Sequence, residues 1–251
     1  MIRAFRCPRR RGPWLRPRRL AGIMAVLILT GACTPAAQEV GLNGVLTVLQ
    51  PRHDFSLARL PDDWMVIGET DGEAPSVRSR QGETYLEWVS GGGSLALARR
   101  VDARLLATPY LAWKWNLLGD RRTRHPFRIT IGLADKVEQS MFGSLGRMMG
   151  TELPVFSRSI SLSWDASALR RGSLEVPNVA RGKRPMARYV VRGGGENLSR
   201  WWPETVDLSR IHAKAWPGLD MRDTRIVFVS LVMAPGPSGP AARLSSLRLS
   251  R

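Results

Sequence analysis

The sequence is poor in the residues from which catalytic and metal sites are commonly built. Among its 251 residues it has two cysteines, Cys7 and Cys33, and three histidines, His53, His125 and His212. Both cysteines lie near the N-terminus, so the rest of the chain has neither a disulfide nor a thiolate metal site. The histidines lie far apart, and none has metal-ligand spacing or a recognisable nucleophile partner. We therefore expect no catalytic residue, no metal site and no cofactor.

The first 32 residues form a leader that is basic and then apolar. The basic stretch from Arg16 to Arg19 precedes about thirteen mostly apolar residues at 20–32. This run is too short to span a bilayer, which needs about 20 residues. A basic region, an apolar run and a small-residue junction are typical of a secretory signal peptide.

The junction itself, Leu29-Thr-Gly-Ala-Cys33, resembles the bacterial lipobox. That resemblance implies that Cys33 is lipidated, becomes the mature N-terminus and holds the protein to a lipid bilayer through its acyl chains. Thr34 is not the aspartate that retains such proteins in the inner membrane, so the implied location is the periplasmic face of the outer membrane. The aliphatic residue lies one place further from the cysteine than is most common. A plain cleaved signal and a soluble periplasmic protein are therefore the alternative.

The predicted organisation has three parts. Residues 1–32 are the signal peptide, 33–44 the lipidated N-terminus and tether, and 45–251 a single domain. The formal charge of +17 belongs partly to the leader, which holds eight arginines and no acid and leaves 30 basic against 21 acidic residues elsewhere. This excess favours anionic surfaces or polymers. Because the chain outside the leader has no dense basic run, we expect no nucleic-acid partner.

The clearest structural pattern is the alternation in Pro109 to Leu117. Leu111, Trp113, Trp115 and Leu117 fall on one face of an extended chain, and polar or small residues fall on the other. Such alternation predicts a half-buried strand of an antiparallel sheet. Two tryptophans on the inward face supply much of a core, so we expect this strand to be central.

Similar patterns predict about ten short strands in all. Further strands are expected at Glu83–Ser90, Ser94–Val101, Phe127–Leu133, Ser159–Trp164, Arg188–Arg192, Arg225–Met233 and Ala242–Ser250. Gly91–Gly93 predicts a hairpin between the first two of these, with positive φ at the glycines, as at Gly193–Gly195.

Helix is expected only at Val137–Met149 and for a turn or two at Leu208–Ala215. Because helices between the strands are missing, the pattern excludes a parallel α/β fold. It predicts an all-β, two-sheet antiparallel β-sandwich with one short helix.

The order of segments resembles an uncharacterised family of secreted bacterial proteins, domain of unknown function 3047. The resemblance is carried by Phe55–Trp64, Tyr110–Trp115, Ser161–Trp164, Arg188–Arg192 and Trp201 followed by an acid. It implies a jelly-roll-like sandwich akin to carbohydrate-binding domains and brings no established activity. This chain departs from the family at His125-Pro126 and at Ala234–Gly239, where relatives tend to carry acids or an Asp/Asn-rich loop. If those acids bind a metal or ligand in relatives, the departures imply that this site is lost here.

The nine tryptophans are the most suggestive feature for function. Trp113, Trp115 and Trp164 occupy apolar faces and are expected in the core. Trp201 and Trp202 adjoin polar residues, so we expect at least one ring to be exposed. We predict a ligand-binding site formed by four residues: Asp120, Arg192, Trp201 and Trp202. The alternative is that these rings cap the end of the sandwich.

Carboxylates offer a second hypothesis. Asp62-Asp63, or Glu69 with Asp71 and Glu73, provide a pair of the kind that glycoside hydrolysis requires, although adjacent acids in a turn are more often solvated. We predict a non-catalytic cell-envelope lipoprotein that binds a glycan or an envelope protein. The alternatives are an envelope glycan hydrolase and a structural partner in a protein complex.

Overall fold

The computed structural model describes residues 37–251 except 53–54, 70–73, 81, 121, 136–152, 179, 181 and 237–238. The predicted signal peptide, Cys33 and the helix expected at Val137–Met149 lie outside the described residues. Within the predicted tether, Gln38–Glu39 forms a short strand that pairs in parallel with Val101 and Asp102. This part of the tether is therefore attached to the folded domain.

Fourteen strands in the described residues build two sheets. The larger sheet has eight strands: β1 (Gln38–Glu39), β3 (Trp64–Glu69), β6 (Ser94–Arg104), β8 (Phe127–Ala134), β9 (Arg158–Asp165), β10 (Leu174–Glu175), β11 (Met186–Gly193) and β13 (Arg225–Met233). The smaller has six: β2 (Val45–Leu49), β4 (Ser76–Arg80), β5 (Glu83–Val89), β7 (Tyr110–Leu118), β12 (Trp201–Asp207) and β14 (Ala241–Ser250).

The eight-stranded sheet has the order β1-β6-β13-β8-β9-β11-β10, with β3 also paired to β6. The six-stranded sheet has the order β12-β7-β14-β5-β4, with β2 also paired to β14. The predicted all-β, two-sheet sandwich is confirmed. Most pairings are antiparallel, and β1 with β6 and β11 with β9 are parallel.

The predicted central strand is β7, which lies between β12 and β14. Leu111, Trp113, Trp115 and Leu117 are all buried, as the alternation predicts. The rings of Trp113 and Trp115 meet edge to face at 5.3 Å, and Trp115 meets Trp164 of the opposite sheet at 6.0 Å. These three tryptophans therefore form the centre of the core, as expected.

The described residues contain one α-helix, α1 (Leu208–Ala215), at the position where a helical turn is predicted. It follows β12 directly, and the Asp207 carboxylate caps its first turn by accepting from the Arg210 backbone N–H at 3.0 Å. Short 3-10 helices lie at Leu57–Arg59, Ala168–Arg170 and Gly195–Asn197.

The predicted hairpin of β5 with β6 is wrong. β5 pairs with β4 and β14 in the six-stranded sheet, whereas β6 pairs with β3, β13 and β1 in the other. The segment Gly91–Gly93 thus carries the chain from one sheet to the other, and none of its glycines has positive φ. Gly194, in the second glycine triplet, does have a positive φ of 91°.

Two arginines link the sheets at opposite edges. At one edge Arg99 of β6 donates to the carbonyl oxygens of Thr47 (2.8 Å) and Val48 (2.7 Å) in β2, and to Asp63 Oδ2 at 2.6 Å. At the other edge Arg192 of β11 donates to Glu204 Oε1 of β12 at 2.5 Å. Asp63, expected to be solvated, is instead buried, because this ion pair neutralises it.

Candidate functional site

The strand register separates the side chains of the six-stranded sheet into two faces. Residues directly opposite each other in paired strands point to the same side. Trp202 lies opposite the buried Trp115 and therefore faces the core, whereas Trp201 lies opposite Asn116 and faces outward. We call the outward surface of β4, β5, β7, β12 and β14 the outer face.

Six side chains on the outer face contact one another, and we call them the Trp201 cluster: Glu83, Tyr85, Glu87, Lys114, Trp201 and Arg243. At its centre the rings of Trp201 and Tyr85 meet edge to face, with 5.5 Å between centroids. The Lys114 ammonium lies 5.3 Å from the centroid of the Trp201 ring. Tyr85 is buried beneath its neighbours, and Trp201 keeps part of its surface open to solvent.

Ion pairs surround the two rings. Lys114 Nζ donates to both carboxylate oxygens of Glu83 at 2.7 Å. Arg243 Nε donates to Glu87 Oε1 at 2.7 Å, and its guanidinium lies 5.5 Å from the centroid of Tyr85. The charged groups are about one-fifth to one-third exposed, so they hold the rings in place and remain accessible to a ligand.

Asn116 lies under this cluster with an unsatisfied polar atom. Its register neighbours on the outer face are Trp201 in β12 and Arg243 in β14. The residue is 6% exposed, and its Oδ1 has no hydrogen-bond partner. A buried acceptor without a donor costs roughly 1–3 kcal/mol. An asparagine at this position is therefore not explained by packing.

The structure does not bring the four predicted site residues together. Trp202 Nε1 donates to the Asn197 carbonyl at 2.8 Å, and the Arg192 guanidinium lies 3.9 Å from the Trp202 ring. Both side chains thus belong to the junction between β11 and β12, on the inner side of the sheet. Trp201 lies on the outer face.

Asp120, the fourth predicted residue, is exposed in the loop after β7. Its carboxylate accepts from the Arg122 backbone N–H at 2.9 Å, which stabilises the turn. None of its hydrogen bonds or ion pairs within the described residues involves the other three predicted residues. Of the four predicted site residues, only Trp201 therefore lies on the outer face.

Five members of the Trp201 cluster were not predicted from the sequence. The alternating pattern of two predicted strands could have identified some of them. In those strands Tyr85 and Lys114 occupy the positions that point away from the core. The β12 strand begins at Trp201 itself. Without that boundary, the sequence could not tell that two adjacent tryptophans point in opposite directions.

The carboxylates of the outer face do not have the spacing of a glycosidase pair. Glu83 and Glu87 are four residues apart in one strand, which corresponds to about 13 Å. Glycosidase carboxylates are roughly 5–9.5 Å apart. Each of the two is also bound to a different cation, Lys114 or Arg243.

His212 belongs to a buried polar cluster at the C-terminal side of β8. Arg158 forms a two-bond ion pair with Asp135, with both distances 2.8 Å, and donates from Nε to His212 Nε2 at 2.9 Å. Burial and the charge of Arg158 lower the pKa of His212 to about 4, against the opposing effect of Asp135. A neutral ring that accepts from arginine is a structural hydrogen-bond partner here.

His125 is also structural. Its Nε2 lies 3.1 Å from the Leu118 carbonyl, and its Nδ1 accepts from the Phe127 backbone N–H at 3.1 Å. Burial lowers its pKa to about 4, although hydrogen bonds to the Leu118 and Ala241 backbone oppose this. His125 thereby joins the end of β7 to the start of β8.

The described part of the chain offers neither a metal-ligand cluster nor a membrane-spanning helix. There, no three residues of the types His, Cys, Asp or Glu cluster so that they could hold a metal ion. In the same ranges, none of the helices combines the length and hydrophobicity needed to cross a bilayer.

No family model matches the chain, and no curated protein matches it. Among solved structures, it is similar to a family 12 glycoside hydrolase at 11% identity, covering 75% of this chain and 92% of that one with a TM-score of 0.43. Endoglucanase 3 of Trichoderma harzianum, from the same family, is 10% identical over 84% of this chain and 92% of its own, with a TM-score of 0.42.

The chain is also similar to a family 11 carbohydrate-binding module from Clostridium thermocellum, solved with a β-1,3-1,4-mixed-linked tetrasaccharide. Here the identity is 11%, the coverage 84% of this chain and 97% of the module, and the TM-score 0.40.

Proposed function

We propose that the protein is a non-catalytic module that binds a glycan on the outer face of its six-stranded sheet. The observation that carries this proposal is the partly exposed ring of Trp201, fixed by Tyr85 and Lys114 beside outward-facing charged groups. A ligand site commonly combines apolar or aromatic surface with a few well-placed polar groups. A sugar ring offers the matching chemistry, with C–H groups for the indole and hydroxyls for the flanking side chains.

The arrangement is preorganised for binding. Glu83 and Glu87 retain free lone pairs beyond their ion pairs, and each can accept a hydroxyl hydrogen bond. The side chains of Lys114 and Arg243 are already ordered by these contacts, so less conformational entropy is lost when a ligand binds. Two residues with short side chains, Ala112 and Ser246, lie on two inner strands, β7 and β14. They protrude little, so the centre of the outer face is open to a ligand.

A hydrolase is the less favoured function. The separation of Glu83 from Glu87 and their pairing with different cations do not supply an acid and a nucleophile across one glycosidic bond. Glu204 is buried on the inner side of the sheet, where Trp115 Nε1 and Arg192 donate to it. It therefore serves the junction between the sheets.

The proposal includes a location. We propose that the leader exports the chain and that Cys33 is acylated and attaches it to the outer membrane on the periplasmic side. What supports this is the basic-then-apolar pattern of residues 1–32 and the lipobox-like Leu29–Cys33. Mass spectrometry of the protein isolated from membranes tests it, since an acylated Cys33 at the mature N-terminus is expected. Release of the protein into the soluble fraction with an unmodified N-terminus would contradict the lipoprotein proposal and favour the alternative of a plain cleaved signal peptide.

Binding is tested with affinity electrophoresis against soluble polysaccharides and a pull-down on peptidoglycan sacculi. Trp201→Ala is expected to abolish retardation or capture while the protein stays folded. Trp202→Ala is the matched control: it removes the same ring from the adjacent position on the inner side. Its binding, measured at a temperature where it is folded, is expected to equal that of the wild type. Equal binding by Trp201→Ala and the wild type would exclude the outer face as the site.

A further inference from the structure

The outer face carries a charge excess that bears on which glycan it binds. Five cationic side chains point outward from its strands: Arg78, Arg80, Lys114, Arg243 and Arg248. The carboxylates among the described residues of β4, β5, β7 and β14 on this side are Glu83 and Glu87. Asp207, at the end of β12, is turned to the helix, where it accepts from the Ser209 hydroxyl at 2.6 Å.

Five cations against two carboxylates leave an excess of three positive charges, and two of the arginines have no ion-pair partner in the described part of the chain. Lys114 is neutralised by Glu83, and Arg243 by Glu87, which also lies 3.8 Å from Arg78. Arg80 and Arg248 are exposed and have no ion-pair partner among the described residues. They lie on β4 and β14, so their guanidinium groups are available on the outer face that carries the Trp201 cluster.

We infer that the ligand of the outer face is an anionic polysaccharide, one whose sugars carry carboxylate or similar acidic groups. The inference rests on the proposed function and specifies its ligand class. Arginine binds planar carboxylates with two parallel hydrogen bonds, so unpaired arginines on the same face as a stacking ring favour an acidic sugar chain over a neutral one. The basic excess of the whole chain acts in the same direction by raising the association rate.

The length of the face suits a polymer better than a single sugar. From β12 to β4 the face crosses five strands, or four spacings of about 4.8 Å, which gives about 19 Å. Trp201 lies at one edge and Arg80 at the other. A ligand that contacts both must therefore extend across the strands, as several linked sugars do.

The test uses one polysaccharide with and without its charge. Polygalacturonate and its fully methyl-esterified form share a backbone, and dextran sulfate and dextran form a second pair. We expect the acidic member of a pair to bind at least about tenfold more tightly in low salt, with the difference shrinking as salt screens the charges. Equal binding of the two members of each pair would overturn the inference. If that equal binding still requires Trp201, the proposed function stands.

Two double variants separate the local charge from the net charge. Arg80→Gln/Arg248→Gln removes the unpaired arginines of the outer face. Arg188→Gln/Arg210→Gln removes two exposed arginines from β11 and α1 and changes the net charge equally. We expect the first to weaken binding of polygalacturonate about tenfold and the second to leave it within about twofold.

An equal loss in both double variants would overturn the inference, since only the net charge would then matter. The last comparison uses single-stranded DNA, a polyanion that is not a polysaccharide. Binding of DNA as tight as that of the acidic glycan would also overturn the inference. Acidic-glycan binding that survives Trp201→Ala unchanged would instead count against the stacking role in the proposed function.

Discussion

Trp201 and Trp202 are adjacent in the chain and lie on opposite faces of the six-stranded sheet. Trp201 contacts Tyr85 and Lys114 on the outer face, whereas Trp202 packs against the core and carries the Arg192 guanidinium on its ring. One residue is thus available to a ligand, and its neighbour stabilises the fold. The two positions allow function and stability to be separated by the same substitution.

The first prediction concerns stability at these two positions. We expect Trp202→Ala to lower the free energy of unfolding by about 2–4 kcal/mol, because it removes core packing and exposes the Arg192–Glu204 pair. Trp201→Ala should lower it by about 1 kcal/mol or less, since Trp201 lies on the outer face and, unlike the equally half-buried Trp202, does not pack against the core. Urea denaturation followed by circular dichroism measures both. A larger loss for Trp201→Ala than for Trp202→Ala would contradict the assignment of faces.

The second prediction concerns Asn116, whose buried Oδ1 has no donor. Asn116→Val should raise the free energy of unfolding by about 1 kcal/mol, because it removes the unsatisfied acceptor and valine favours a strand. Thr205→Val, on the exposed outer side of β12, is the control and should change stability by less than about 0.5 kcal/mol. If Asn116 contacts the glycan, the stabilised variant will bind it more weakly. Destabilisation by Asn116→Val would show that the amide is satisfied in the folded protein.

The third prediction concerns the link between the sheets at Arg99. Its side chain is 17% exposed and that of Asp63 is 11% exposed. Arg99→Met should cost about 3–5 kcal/mol, because it leaves a buried carboxylate without a partner. Adding Asp63→Asn should recover part of this loss, and a double-mutant cycle in urea measures the coupling. Arg222→Met removes an exposed ion pair with Asp220 and should leave the midpoint unchanged.

Strictly additive losses for Arg99→Met and Asp63→Asn would contradict the third prediction. They would mean that the arginine acts only through the carbonyl oxygens of Thr47 and Val48. In that case the ion pair would add nothing to the link between the sheets.

The fourth prediction is a pH dependence. The pKa values of His125 and His212 are lowered from 6.5 to about 4 in the folded protein. Between these values the unfolded chain binds more protons, so stability is full above about pH 6.5 and falls as the pH decreases toward 4. Each histidine contributes a slope of at most about 1.4 kcal/mol per pH unit.

Denaturant midpoints measured from pH 7.5 to 4 test this dependence. His212→Gln removes one of the two titrating histidines. It should reduce the part of the slope of stability against pH that the histidines cause by about half, whether or not the variant is less stable at pH 7.5. A curve of unchanged slope in this variant would show that other groups cause the acid loss. His125→Asn provides the same test at the β7–β8 junction.

The sequence was a good guide to which residues face inward and a poor guide to which strands pair. The alternation in β7 marked Leu111 and Trp113 as core because burial imposes a period of two on any half-buried strand. Strand pairing is a tertiary property, and Gly91–Gly93 fits a hairpin turn and a sheet-to-sheet connection equally well. The same limit hid Arg99 and Asp63, which are 36 residues apart and meet only in the folded chain.

The position of β14 sets the order in which the fold can be completed. This last strand lies inside the six-stranded sheet, where it pairs with β7, β5 and β2. The strands β5 and β7 precede β14 in the chain and must therefore wait for Ala241–Ser250 before their sheet can close. Folding that depends on such distant contacts is slow. In a chain of this topology, the six-stranded sheet stays open between β5 and β7 until β14 is available.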